Sequence, residues 1–181
     1  MTKSAIRFAT FPRTEPPPAF ASQLVDVFRA HEATISSISL PKGLQSNGVL
    51  GSVADDLSEL GFEVERGKRK EQKIERPVFY GENGVPTLNY QIDAYHAGWK
   101  CGLEIEAGRG WMGNAVYRDI MQASLMIGIE CLCLAVANAY KFKYSNKDRS
   151  SSDYANTRHL AEAIYGHSRV KLPYRLLLVG Y

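Results

Sequence analysis

The order strand, helix, strand between positions 100 and 137 constrains the fold more than any other feature of this chain. Residues 100–107 alternate apolar and polar side chains, as a half-buried strand does. Residues 131–137 are almost wholly apolar, which is typical of a strand covered on both faces. The helix expected between them, opened by Asn114 as its cap, carries four apolar residues on one face: Val116, Ile120, Ala123 and Ile127. This order predicts a right-handed parallel crossover, and so an α/β fold with a mixed central sheet flanked by helices.

The remaining segments fit the same fold class. Helical spacing or length predicts helices over 20–32, 47–60 and 153–165, and apolar alternation predicts strands near 62–64, over 88–96 and over 175–179. The highly charged segment 66–76 is predicted to be a solvated loop or hairpin, and the basic segment 141–149 a loop.

The length of the chain indicates one domain. Its 181 residues are enough to bury a core without disulfide or metal staples. Three consecutive prolines, Pro16 to Pro18, favour an extended backbone, so residues 1–19 are predicted to be a Pro-rich arm and 20–181 the single domain. No signal-peptide pattern or long apolar run is present, and we expect a soluble, cytoplasmic protein with no membrane partner. The net charge of +3 requires any affinity for a polyanion to come from clustered charges.

Three acidic residues share one face of the predicted strand pair over 88–96 and 100–107. Alternation puts Ile92 and Ala94 on the apolar face. A type II′ turn with Gly98 first would set a register in which Asp93 lies directly opposite Glu104, and Glu106 lies on the diagonal. Opposed side chains have Cβ atoms about 4.5–5.5 Å apart, and diagonal neighbours roughly 7–8 Å.

Like charges this close are destabilising unless something neutralises them. Mg²⁺ prefers carboxylate and water oxygens and commonly takes one or two protein carboxylates, so the register favours a divalent metal. The alternative is a solvent-facing acidic strand edge whose charges are balanced by neighbouring lysines or arginines.

The spacing of these residues resembles the signature of the PD-(D/E)xK nuclease superfamily. Asp93 is followed, after ten residues, by Glu104-Ile105-Glu106. Two positions depart from the signature: Ile92 stands where a proline is usual, and Glu106 stands at the place of the lysine. With a carboxylate at that last position, the chain is similar to the BamHI and BglII branch of restriction endonucleases. The resemblance covers about residues 47–137 and implies an α-β-β-β-α-β core.

The resemblance also implies roles for these residues. Asp93 and Glu104 would be metal ligands, with the carbonyl of Ile105 as a third donor, and Mg²⁺ would be the metal, with Mn²⁺ as a substitute. Glu106 would accept the proton of the attacking water or bind a second ion. A fourth carboxylate from the preceding helix is common in this superfamily. Glu59 is the first candidate here, in competition with Asp55, Asp56 and Glu63.

Basic residues flank this acidic centre and are candidate phosphate contacts. One group surrounds the start of the helix after the acidic strand, where free N–H groups favour an anion: Arg109, Asn114 and Arg118. Two further clusters lie in the charged segments: Lys68, Arg69 and Lys70, and then Lys141 and Lys143 with Lys147 and Arg149. Each cluster alone is also consistent with an ordinary solvated loop.

The resemblance implies a Mg²⁺-dependent endonuclease of restriction type that cleaves duplex DNA. The alternatives are a repair or mobile-element nuclease of the same fold and a catalytically silent DNA-binding subunit. A glycosidase-like pair of carboxylates is less consistent with directly opposed side chains, which leave little room for a sugar. Duplex cleavage needs two sites, so a homodimer is expected, with the helix over 153–165 and the Pro-rich arm as candidate contacts.

Overall fold

In the computed structural model, which describes residues 4–108 and 110–181, six strands form one mixed sheet. Across the sheet they are ordered β1 (Arg7–Phe11), β10 (Arg175–Gly180), β7 (Cys131–Val136), β6 (Cys101–Glu106), β5 (Ala94–His96) and β2 (Glu63–Val64). Both neighbours of β7 run parallel to it, and the other three pairings are antiparallel. The predicted parallel connection from β6 to β7 and the mixed central sheet are therefore confirmed.

Helices cover both faces of this sheet. One face carries α1 (Ala21–Ala30), α2 (Glu32–Ile35) and α3 (Ser46–Glu59), and the other carries α4 (Ala115–Leu125) and α5 (Asp153–Gly166). Strand β7 is buried along its whole length because its side chains alternate between two cores: Cys131 and Cys133 pack with the first group of helices, and Leu132 and Leu134 with the second. The sheet thus separates two apolar layers, as its sequence predicts.

Two hairpins extend from this core. The first joins β3 (Ile74–Tyr80) to β4 (Pro86–Ile92), and the second joins β8 (Tyr140–Tyr144) to β9 (Lys147–Ser151). Short 3-10 turns occupy Lys70–Gln72 and Glu82–Gly84. The prediction of a loop over 141–149 is wrong. Ser145 and Asn146 both adopt positive φ angles, 49° and 60°, which matches the two-residue turns that close hairpins.

The strand predicted over 88–96 is interrupted at Asp93. Ile92 is the last residue of β4 and pairs with Ile74 in the hairpin, whereas Ala94 begins β5 and pairs with Leu103 in the main sheet. The prediction that Ile92 and Ala94 share a face is therefore wrong, because the bend at Asp93 sends their side chains into opposite cores.

The predicted N-terminal arm is part of the sheet. Arg7–Phe11 is extended, as expected, but it pairs with β10 as the edge strand β1, and the side chains of Ile6, Ala9 and Phe11 are buried. Helix α5 packs against the same two strands. The predicted inner face of α4 is confirmed for Val116, Ile120 and Ala123, but Ile127 lies beyond the helix end and is exposed. No helix in the described residues is long and apolar enough to cross a membrane.

Candidate carboxylate site

The register of the strand pair places Asp93 opposite Glu104. Strand β5 pairs Ala94 with Leu103 and His96 with Cys101, and one further step along both strands brings the two acidic residues together. This register is the predicted one, but the turn differs. Lys100 has the left-handed backbone, with φ 47°, in place of the type II′ geometry expected at Gly98.

Asp93 occupies the bend between β4 and β5, and its side chain holds the bend against β6. Its Oδ2 accepts a hydrogen bond from the backbone N–H of Ile105 at 2.8 Å. Burial raises the pKa of Asp93 to about 6, with smaller contributions from the charges of Glu65 and Asp119, although the Ile105 N–H lowers it. The carboxyl group is therefore harder to ionise than an exposed aspartate, and a cation bound beside it would favour the charged form.

Glu104 lies at the centre of the site. Its neighbours Leu103 and Ile105 pack in the core with α3, so alternation along β6 directs Glu104 to the opposite face, towards α4. Burial raises the pKa of this carboxyl well above its usual range, and the charges of Asp93, Asp119 and Glu106 raise it further. Arg118 acts in the other direction.

Arg118 links Glu106 to Asp119. Its guanidinium Nη2 lies 2.9 Å from Glu106 Oε1 and 2.9 Å from Asp119 Oδ1, while its side chain keeps 59% of its surface exposed. Burial, then the neighbouring Asp119 carboxylate, raises the pKa of Glu106 to about 8. Burial also raises the pKa of Asp119, and its Oδ2 has no hydrogen-bond partner among the described residues.

Asp119 is the fourth acidic residue of the site, and the sequence analysis missed it. Helix α4 buries Val116, Asp119, Ile120 and Ala123. An aspartate at this position interrupts an apolar stripe of the type i, i+3, i+4, i+7, and this pattern could have identified it. A carboxylate buried in such a stripe is costly unless it has a function or a partner.

The structure does not bring Glu59 into this cluster. Glu59 is exposed at the end of α3, which packs on the face of the sheet opposite to Glu104 and Glu106. Its competitors Asp55 and Asp56 are engaged elsewhere, with Arg66 at 2.8 Å and His31 at 3.0 Å respectively. The helix before the strands therefore does not supply the fourth carboxylate.

The predicted phosphate contacts have different outcomes. Asn114 precedes α4 with φ 58° and does not cap the helix with its side chain, because the preceding turn places it in the left-handed region. Arg109 lies outside the described residues. The cluster Lys68, Arg69 and Lys70 is exposed and lies before β3.

The second basic cluster borders a large groove. Lys141 donates to the backbone carbonyls of Ile38 and Leu40, at 3.0 and 2.7 Å, and so ties the hairpin β8–β9 to the segment before α3. Lys143 also lines this groove, whose volume is about 1520 Å³. Ala107 and Gly108, which directly follow Glu106, are among the other residues that line it.

The donor atoms of this site are all oxygens. Within 4–108 and 110–181, no group of three or more His, Cys, Asp or Glu side chains is arranged to hold a metal ion. The pair Asp93 and Glu104 still matches the one or two carboxylates that Mg²⁺ commonly takes from a protein. The N–H and C=O of one strand residue point to the same side, so the Ile105 carbonyl faces the side of β6 on which Asp93 lies.

Comparisons with protein-family models and with curated proteins found no match for this chain.

Proposed function

We propose that this chain is a Mg²⁺-dependent endonuclease that hydrolyses phosphodiester bonds of duplex DNA. The observation that carries this proposal is a cluster of three partly buried carboxyls, Asp93, Glu104 and Glu106, with the buried Asp119; only Arg118 is in direct contact with the cluster as a balancing cation among the described residues. An uncompensated acidic cluster of this kind is costly to fold and is typical of functional sites.

The order of elements supports the nuclease proposal. Helix α3, strands β2, β5 and β6, helix α4 and strand β7 occur in the order α-β-β-β-α-β, with the hairpin β3–β4 inserted between β2 and β5. These four strands are neighbours in the order β7-β6-β5-β2; Asp93 lies directly before β5, Glu104 and Glu106 lie along β6, and Asp119 lies on α4. We infer that the core is of the restriction-endonuclease type.

The residues present fit the metal that this function implies. Asp93 and Glu104 would hold it, with the Ile105 carbonyl as a third oxygen, and the unpartnered Oδ2 of Asp119 is a further buried oxygen at the same site. Bound Mg²⁺ would neutralise the charge that develops on the phosphate and would activate a water molecule.

The protein groups supply positioning and proton transfer. Glu106 lies at the end of β6 and, in the ionised form that a bound cation would favour, accepts the proton of the attacking water. Arg118, held by Glu106 and Asp119, presents a half-exposed guanidinium beside them and binds a phosphate oxygen. Glu106 occupies the position of the lysine in the nuclease signature and carries no positive charge. In this assignment Arg118 provides the fixed positive charge instead.

We also propose that the active form on duplex DNA is a homodimer. Tyr117, Met121 and Leu125, four residues apart along α4, form an apolar stripe that is 41%, 57% and 48% exposed. Two copies packed through this stripe would bury it and bring both carboxylate sites to one duplex. By contrast, the elements that the sequence suggested for this contact, α5 and the N-terminal strand, pack within the fold.

Cleavage of supercoiled plasmid, measured with Mg²⁺, with Mn²⁺ and with EDTA, tests the proposed function. We expect nicked and linear products with Mg²⁺ or Mn²⁺ and none with EDTA. End labelling should then find 5′-phosphate and 3′-hydroxyl termini. Binding of plasmid without cleavage in any metal would contradict the proposal and favour a catalytically silent DNA-binding subunit.

A further inference from the structure

The groove beside the carboxylate site is lined by the residue types that bind nucleic acid. One wall is the segment before α3, which includes Lys42, and the other is the hairpin β8–β9. Among the described lining residues, one is acidic, Asp148, and four are basic: Lys42, Lys141, Lys143 and Arg149. Its volume of about 1520 Å³ exceeds the range of roughly 300–1,000 Å³ that small-molecule sites occupy, so the expected occupant is an extended anionic chain.

Aromatic rings and basic side chains share one face of the hairpin β8–β9. Along β8, alternation places Tyr140, Phe142 and Tyr144 on the same face, and Arg149 and Lys147, which pair with Phe142 and Tyr144, lie on that face too. The rings of Tyr140 and Phe142 stack with centroids 5.4 Å apart, and Tyr144 at the end of the strand is 68% exposed. Exposed aromatic faces flanked by lysines are the arrangement with which proteins bind single-stranded nucleic acid, because the rings stack on bases and the lysines contact phosphates.

The geometry points to a groove that holds an unpaired strand of nucleic acid beside the end of β6. Bases inside a duplex already stack on their neighbours, so the rings of β8 can stack only on unpaired bases. Ala107 and Gly108, which line the groove, follow Glu106 directly in the chain, and the Tyr181 hydroxyl, also at the groove, donates to the Glu106 carbonyl at 3.0 Å. This inference deepens the proposed function and rests on it for the fate of the strand: the substrate includes a single-stranded segment next to the bond that is cleaved.

Binding of a fluorescent oligothymidylate of fifteen nucleotides, followed by anisotropy in EDTA, tests this inference. We expect Tyr144→Ala to weaken binding roughly five- to a hundredfold, the range that the loss of one stacked base gives, and Tyr144→Phe to bind as the unmodified protein does. Tyr80→Ala is the matched control, because Tyr80 is also an exposed tyrosine near a hairpin tip, 53% exposed, but belongs to the hairpin β3–β4. This control should bind normally.

Two results would overturn the inference: no binding of the oligonucleotide by the unmodified protein, or equal binding by Tyr144→Ala and the unmodified protein. The assay excludes metal and measures no cleavage, so it is independent of the proposed nuclease activity. If the protein cuts plasmid but Tyr144→Ala binds the oligonucleotide normally, the nuclease proposal stands and the groove inference is wrong. If Tyr144→Ala weakens binding but no plasmid is cut, the groove inference stands and the nuclease proposal is wrong.

Discussion

The carboxylate of Asp93 accepts a hydrogen bond from the backbone N–H of Ile105, and this contact joins the bend before β5 to the strand that carries Glu104 and Glu106. Its loss leaves the Ile105 N–H without a partner, which costs about 1–3 kcal/mol when the group is buried. We therefore expect Asp93→Ala to unfold more easily than Asp93→Asn, whose side-chain oxygen still accepts this bond, by about 1 kcal/mol. Urea unfolding at pH 5 compares the two variants, and equal stabilities would contradict the structural role of this bond.

The raised pKa values predict how the metal-free protein responds to pH. Burial raises the pKa of Asp93 to about 6 and that of Glu106 to about 8, so the folded chain binds more protons than the unfolded chain above pH ~4. The stability due to these protons is fully present below about pH 4 and is lost as the pH rises through the folded values. The free energy of unfolding should therefore fall between pH 5 and pH 8, and Mg²⁺ should restore it at pH 8.

Glu104→Gln provides the comparison for this pH dependence. It replaces the central ionisable carboxyl with a neutral amide of similar shape, so its metal-free unfolding should vary less with pH. At pH 8 its melting temperature should exceed that of the unmodified protein by about 2–4 °C for each kcal/mol of repulsion removed. Parallel pH profiles for the two proteins would mean that the buried carboxyls do not control stability.

The ion pairs of Arg118 predict a cost for its removal. Arg118 lowers the pKa of both Glu106 and Asp119, and it is the cation in direct contact with them in the described structure. In Arg118→Gln the two carboxyls lose this compensation, so the metal-free melting temperature at pH 8 should fall by a few degrees, and plasmid cleavage should drop at least tenfold. Arg118→Lys should recover part of both. If Arg118→Gln cleaves plasmid at the rate of the unmodified protein, Arg118 does not bind the phosphate.

The sequence predicts the central elements well because their signals are local. The apolar run of β7 and the alternation of β6 specify buried strands, and the register that opposes Asp93 to Glu104 follows from the short connection between β5 and β6. Helical spacing places Glu59 off the apolar stripe of α3 and so agrees with its exposure, but it does not show which face of the sheet the helix covers, so the separation of Glu59 from Glu104 was not predicted.

Other features depend on contacts between distant segments. The bend at Asp93 is stabilised by Ile105, twelve positions later, and β1 becomes part of the sheet by pairing with β10 at the opposite end of the chain. The link of Arg118 to both Glu106 and Asp119 forms only when α4 packs on β6. The buried aspartate of α4 was within reach of sequence analysis, since it interrupts an apolar stripe.

The exposed stripe of α4 predicts the effect of a single charge on assembly. We expect the unmodified protein to form a dimer on a short duplex in Ca²⁺, and Met121→Glu to remain monomeric, because the glutamate would be buried against its copy in the interface. Analytical ultracentrifugation measures both, with Val85→Glu as the control, because Val85 is an exposed apolar residue outside α4. A one-to-one complex of the unmodified protein with duplex, and plasmid that is nicked but never linearised, would indicate a monomer that cuts one strand.

The initial rate of plasmid cleavage by Glu104→Gln tests the central claim most directly. The matched control is Glu82→Gln, the same chemical change at an exposed position in the hairpin β3–β4. With both proteins folded and in saturating Mg²⁺, the account predicts cleavage at the unmodified rate by Glu82→Gln and a loss of at least a hundredfold in Glu104→Gln. Cleavage by Glu104→Gln at the rate of the control would contradict the assignment of the buried carboxylates as the catalytic site.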